Sequence, residues 1–157
     1  MADPLSAAEQ ARIQQLATVF HRIGEERMKD LGLYNHALQV EAVGFRPWNG
    51  WLAGVLVTPW FMNFVMLPID PANGLGGAEL GSRRRIDLPK GQVIFVVGEV
   101  EEVGYYLSYS IHSPMGEFPD HAKASTTAWA TVGTFFMEPG EEPQKACGFG
   151  WGVNKGM

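Results

Sequence analysis

The chain has 157 residues, 46% of them hydrophobic and 18% charged, and a net charge of −5. A chain of about 150 residues buries roughly 70% of its unfolded surface, so one domain with a real core is expected and disorder is excluded. Residues 1–85 hold eight acidic and eight basic side chains and residues 86–157 hold nine and four, which argues against the basic face that nucleic acid requires.

Met1-Ala2-Asp3-Pro4 lacks the basic and apolar stretches of a secretory leader, so a cytoplasmic location is expected. Ser6-Ala7-Ala8-Glu9 reads as a capping box. Ile13, Leu16, Phe20 and Ile23 follow at helical spacing, widened by Val19, Met28 and Leu31. The pattern predicts an amphipathic helix over about 6–31, with Gly24 its weak spot. Leu38, Val40 and Ala42 then alternate with polar residues before Val43 and Phe45 take the opposite parity, which predicts a bulge near Gly44. Trp48-Asn49-Gly50-Trp51 predicts a hairpin turn.

Pro47 to Ile69 is a run of 23 residues without a charge, holding three of the five Trp. A membrane span needs about 20 apolar residues, but Asn49-Gly50, Pro59, Asn63 and Pro68 interrupt this one. It reads instead as two buried strands, 51–58 and 63–67, separated by Pro59-Trp60-Phe61-Met62; no membrane insertion is expected. Residues 69–86 are rich in Gly and polar side chains and are expected to form a loop. The nearly unbroken apolar run Gly91–Val100 predicts a strand covered on both faces. A turn over 101–104 leads to a half-buried strand from Tyr105 to His112. Phe118, Ala122, Ser125, Trp129, Val132 and Phe136 mark a second amphipathic helix at about 119–137, and a flexible tail is expected over about 138–157. The expected fold class is α+β: a single domain over 1–157, with a mainly antiparallel sheet of about five strands packed against an N-terminal and a C-terminal helix.

The search for chemistry returns little. The four histidines (His21, His36, His112, His121) show no ligand spacing, and Cys147 is the only cysteine, so no metal, cofactor or internal disulfide is expected. Ser108, Ser110 and Ser113 with His112 and Glu99 could supply a hydrolase, but no nucleophile-elbow pattern surrounds these serines. An enzyme is therefore not expected. A surface for another polypeptide is better supported: Trp is enriched at binding hot spots and Met adapts to irregular apolar partners. Trp60, Phe61 and Met62 could equally plug the core, and the acidic cluster from Glu99 to Glu102 could equally be a solvated turn. A pocket for a small molecule or a cofactor intermediate is a further alternative.

Val57-Thr58-Pro59-Trp60, then Leu88-Pro89 with Gly91 and Phe95, then Val97-Gly98-Glu99, then Tyr106 with Ser110 and Ser113-Pro114-Met115, form an ordered set that resembles the HybE/HupJ family. These are accessory chaperones for maturation of nickel–iron hydrogenases. The resemblance spans roughly residues 10–137. It implies a cofactor-free cytoplasmic chaperone that binds a hydrogenase small-subunit precursor with a twin-arginine signal, or a large-subunit precursor, together with other maturation proteins, before export. Some members carry a rubredoxin module that needs four cysteines; one cysteine does not provide it. Combined with the residue reading, the resemblance makes Pro59, Trp60, Phe61, Met62, Glu99 and Met115 the candidate partner-binding residues.

Overall fold

The computed structural model describes residues 5–70, 75, 78–100 and 102–137; the expected tail lies outside them. The first helix, α1, spans Ala7–Ile23 and starts from the expected capping box: Ser6 Oγ accepts from the Glu9 amide at 3.1 Å, and Glu9 Oε1 accepts from the Ser6 amide at 2.9 Å. At Gly24 the helix widens into a π turn, Gly24–Met28.

Six antiparallel strands follow: β1 (Glu41–Trp48), β2 (Trp51–Val57), β3 (Met62–Pro68), β4 (Arg83–Leu88), β5 (Gly91–Val100) and β6 (Gly104–His112), in the spatial order β1-β2-β3-β6-β5-β4. The second helix, α2, covers His121–Phe135 and is capped by Asp120, whose side chain accepts from the Lys123 amide. The architecture is α+β as expected. It has one strand more than the expected five, because the end of the presumed 69–86 loop is the edge strand β4. Asn49 and Gly50 turn β1 into β2 with φ of 49° and 86°, the left-handed values that an Asn-Gly turn allows. The bulge lies where the parity slips, between Val43 and Arg46, with Gly44 at φ 67°.

Alternation along the strands divides the core between the two helices. Ala53, Val55, Val57, Phe64, Met66, Phe95, Val97 and Leu107 pack with Ala124, Ala128, Val132 and Phe135 of α2. Leu52, Leu56, Val65 and Leu67 pack with Leu16, Val19 and Phe20 of α1 on the opposite face. Three expectations change here. The buried stripe of α2 is Ala124–Ala128–Val132–Phe135, while Ala122 and Trp129 face outward, Trp129 being 56% exposed; small side chains let α2 approach the sheet closely, and the large indole is displaced to the rim. Strand β5 is covered on one face only, because Ile94 and Val96 point to the α1 side beyond the reach of α1. Leu31, read as part of the helix stripe, is about half exposed in the segment after the π turn.

Candidate functional site

Strands β2 and β3 are closed by a four-residue turn, Thr58-Pro59-Trp60-Phe61, between the paired residues Val57 and Met62. Buried Thr58 holds it: Oγ1 accepts from the Trp60 and Phe61 amides at 3.2 and 2.9 Å, and the Thr58 amide donates to the Phe61 carbonyl at 2.8 Å. With the backbone groups satisfied inside the turn, the two aromatic side chains are left to project from it.

They extend a ladder of rings. Phe61 meets Phe20 of α1 edge-on at 5.7 Å, and Phe20 meets Tyr106 at 6.2 Å. Trp60 meets Phe61 at 5.5 Å and stacks on Tyr34 at 6.1 Å and 19°, and Tyr34 lies 4.7 Å from His36. Gly24 makes room for the indole: a Cβ there would lie 2.9 Å from Trp60 Cζ3. The helix break that weakened the sequence pattern is thus the seat of Trp60. Burial pushes the Tyr34 hydroxyl pKa up, with Glu25 adding to the effect.

The residues leading to Tyr34 carry two exposed leucines, Leu31 at 49% and Leu33 at 58%. A shallow cleft of about 340 Å³ lies alongside, lined by Gly32–His36 and by Pro114, Gly116 and Phe118. Asn35 joins its two walls. Its Nδ2 donates to the carbonyls of Met115 and Phe118 at 2.9 Å each, Oδ1 accepts from the Ala37 amide at 3.0 Å, and its own amide donates to the Pro59 carbonyl at 2.8 Å.

Of the candidate residues, Pro59 to Met62 and Met115 come together and Glu99 does not. Trp60 and Phe61 are half-buried and present apolar surface; Pro59 is buried under the turn. Met62 and Met115 are completely buried in the α2-side core. They cannot touch a partner in this conformation, and they belong to the opposite face from Trp60 and Phe61, which pack on the α1-side cluster: strand alternation turns Met62 inward, and Asn35 pins the backbone of Met115. Glu99 pairs with Tyr105 at the start of β6, while Met62 pairs with His112 at its end; seven residues of strand separate the two sites by about 23 Å. Glu99 instead borders an open cleft of about 660 Å³ with Arg12, Gln15, Glu102 and Gly104. There the Arg12 guanidinium, its pKa lowered by burial and partly restored by Asp70, donates to the Pro68 and Val103 carbonyls.

The serine–histidine alternative is not assembled. His112 Nδ1 lies 3.5 Å from Glu117, its ring abuts Phe118, and Glu99 is at the far end of the sheet. Among the described residues no cluster of His, Cys, Asp and Glu could hold a metal, and no helix is long and apolar enough to cross a membrane. Sequence reasoning missed Leu33, Tyr34 and Asn35; the apolar run Leu31-Gly32-Leu33-Tyr34, directly after a helix stop, was the available signal.

The family described as "[NiFe]-hydrogenase assembly, chaperone, HybE" matches residues 11–147. Hydrogenase expression/formation protein HupJ of Bradyrhizobium diazoefficiens is 42% identical over 127 residues, covering 81% of this chain and 73% of that protein. Probable rubredoxin HupJ of Rhodobacter capsulatus is 36% identical over 122 residues, which is 78% of this chain but 44% of that protein. The solution structure of HybE from Escherichia coli superposes with a TM-score of 0.58 at 22% identity, over 84% of this chain and 80% of that one, a likeness of fold. With the α+β fold, the ordered motifs and matches of this extent, the chain belongs to the HybE/HupJ family of hydrogenase-assembly chaperones, which are not enzymes.

Proposed function

We infer that this protein works in the cytoplasm and holds a nickel–iron hydrogenase subunit precursor, before export, on the apolar surface formed by Trp60, Phe61, Leu31 and Leu33. The observation that carries this reading is the Thr58–Phe61 turn, which keeps two aromatic rings partly exposed and joins them, through the stack of Trp60 on Tyr34, to the segment that carries exposed Leu31 and Leu33. Rings fixed by the stack of Trp60 on Tyr34 and the edge contact of Phe61 with Phe20 lose little freedom on binding, which favours them as anchors. Asn35 ties this turn to the Met115 segment, so the cleft between residues 32–36 and 114–118 keeps its shape while an extended apolar stretch lies across it. The small-subunit precursor with its twin-arginine signal is the first candidate and the large-subunit precursor the second.

A pull-down with the tagged chain from cells making hydrogenase, read by mass spectrometry, separates these. Recovery of a small-subunit precursor that retains its signal supports the first candidate, and recovery of a large-subunit precursor without cofactor supports the second. Trp60→Ala is expected to cost about 2 kcal/mol of binding, roughly thirtyfold in affinity. Recovery of neither subunit by the wild-type chain overturns the reading, and undiminished capture by a Trp60→Ala, Leu33→Ser variant moves the contact elsewhere.

A further inference from the structure

The sheet has two edges, and the sequence treats them differently. Strand β1 is blunted by the bulge between Val43 and Arg46 and by Pro47, which has no amide to donate. Strand β4 has neither device. Arg83 to Leu88 pair with β5 without a register shift, and among the described residues nothing pairs with the outer side of β4. The Val97 amide donates to the Ser82 carbonyl at 2.9 Å, just before β4 begins. Backbone groups alternate in direction along an antiparallel strand, so Arg84, Ile86 and Leu88 turn theirs toward β5 like Ser82, and Arg83, Arg85 and Asp87 turn theirs outward.

The side chains of these three residues are exposed, and none forms an ion pair among the described residues. Arginines alone would guard the edge, because two such edges repel. Asp87 changes the sum. A two-fold axis at Ile86 sets Arg85 opposite Asp87 of a second copy, and Asp87 opposite its Arg85, within reach of charge pairing. Both pairs join residues whose backbone groups face outward, so each can exchange two hydrogen bonds. On the other face, where Ile86 and Leu88 join the α2-side core, Ile86 meets its own copy and Arg84 lies beside Leu88. An axis at Arg85 would instead set that arginine against itself. We propose that β4 is the interface of a two-fold homodimer, in which two β4 strands pair antiparallel about Ile86 and join two six-stranded sheets edge to edge. Each copy supplies the arginine and the carboxylate that the other lacks, an isologous contact. Six residues of strand are a small contact against the roughly 1,200 Å² at which stable interfaces begin, and Arg83 and Arg84 leave excess positive charge, so the dimer is weak. It leaves the Trp60 site open on both copies, since β3 and β4 are separated by two strands, about 14 Å across the sheet.

Sedimentation velocity of the intact chain over a concentration series tests this. A monomer–dimer equilibrium with a Kd of about 10–100 μM is expected. Arg85→Asp puts carboxylates at both positions and Asp87→Arg puts arginines at both, so each variant alone should associate at least about tenfold more weakly. Mixed in equal amounts, the two variants should form a heterodimer. The double variant Arg85→Asp, Asp87→Arg should dimerise as the wild type does, and Trp60→Ala should change nothing. In the wild type, the Arg85 and Asp87 amides should gain protection from hydrogen exchange as concentration rises, while those of β1 should not. The proposal is overturned by a wild-type chain that stays monomeric to about 500 μM, or by single variants that associate as well as wild type. It is equally overturned by mixed variants that stay monomeric, by loss of association in Trp60→Ala, or by protection that appears elsewhere than β4. The concentration series and the exchange pattern need only wild-type protein, so a variant that fails to fold does not blunt the result.

Discussion

Asn35 is the residue whose removal tests most directly how the Trp60 surface is held. Asn35→Ala deletes the donor to the Met115 and Phe118 carbonyls and the acceptor for the Ala37 amide, while leaving the backbone bond to Pro59 in place. A hydrogen bond contributes about 1 kcal/mol net, and a buried group left without a partner costs more. The two bonds to the carbonyls are part-buried and the bond from Ala37 is exposed, so water recovers some of the loss, and a destabilisation of about 2–3 kcal/mol is expected. With a urea m-value of about 2 kcal/mol/M for a chain of this size, the unfolding midpoint should fall by about 1–1.5 M at constant m. Asn35→Asp sharpens the test. It keeps the size and the acceptor for Ala37 but turns an oxygen toward two carbonyl oxygens, so it should destabilise at least as much as alanine. In both variants the indole resonance of Trp60 should move, because the turn has lost its brace. A midpoint shift below about 0.3 M for Asn35→Ala, or wild-type stability for Asn35→Asp, would refute the claim that the side-chain amide joins the two walls of the cleft.

Other perturbations address the seat of the indole, the core and the buried phenol. Alanine is favoured over glycine in a helix by about 1 kcal/mol, but in Gly24→Ala the 2.9 Å approach to Trp60 should cancel that gain. Combined with Trp60→Ala, the same change should become neutral or stabilising, and a double-mutant cycle of urea midpoints measures the coupling. Leu16→Ala empties a completely buried position under β2 and β3 and should cost about 3 kcal/mol by denaturant unfolding. Burial pushes the Tyr106 hydroxyl pKa above its ordinary value of 10.0. The folded state therefore holds this proton more tightly than the unfolded state. The associated stability is fully present below pH 10 and is lost as pH rises from there through the raised folded pKa, by at most about 1.4 kcal/mol per pH unit. Tyr106→Phe should match wild type at pH 8 and fall less steeply above pH 10 in paired denaturant titrations.

Much of the fold was legible because local chemistry and tertiary need coincide. The capping box, the Asn-Gly turn and the parity slip at Gly44 each place a backbone feature that the structure uses unchanged. Strand β4 was illegible because it is an edge: of Arg83–Leu88 only Leu88 is buried, so the hydrophobic alternation that announces a strand is missing. Strand β5 was misread for the opposite reason. Ile94 and Val96 have the composition of buried residues, and nothing local records that α1 stops short of them. In the site, Thr58–Phe61 was found through its bulky side chains. Asn35 was invisible because its partners lie 80 and 83 residues away. Glu99 is grouped with Trp60 by its charge and its place in the family motifs, although it pairs at the start of β6 while Met62, two residues after Trp60, pairs at its end.

The exposed surfaces follow from counting layers. Six strands spaced about 4.8 Å apart make a sheet roughly 24 Å wide, whereas one helix with its side chains is about 10–12 Å across. One helix per face therefore covers about half of a six-stranded sheet, and each face needs something further. On the α2 side that material is present: Leu75, Met115 and Phe118 complete the cover, and Phe135 stacks on Phe64 at 4.3 Å within reach of Tyr109. On the α1 side the helix packs on β1, β2 and β3, and Phe20 reaches Tyr106 near the start of β6. Beyond Tyr106 the row ends in Ser108, Val96 and Arg83, with no second element above it among the described residues. Ile94 and Val96 are therefore left partly bare because α1 covers only part of its face, although their strand has the composition of a buried one.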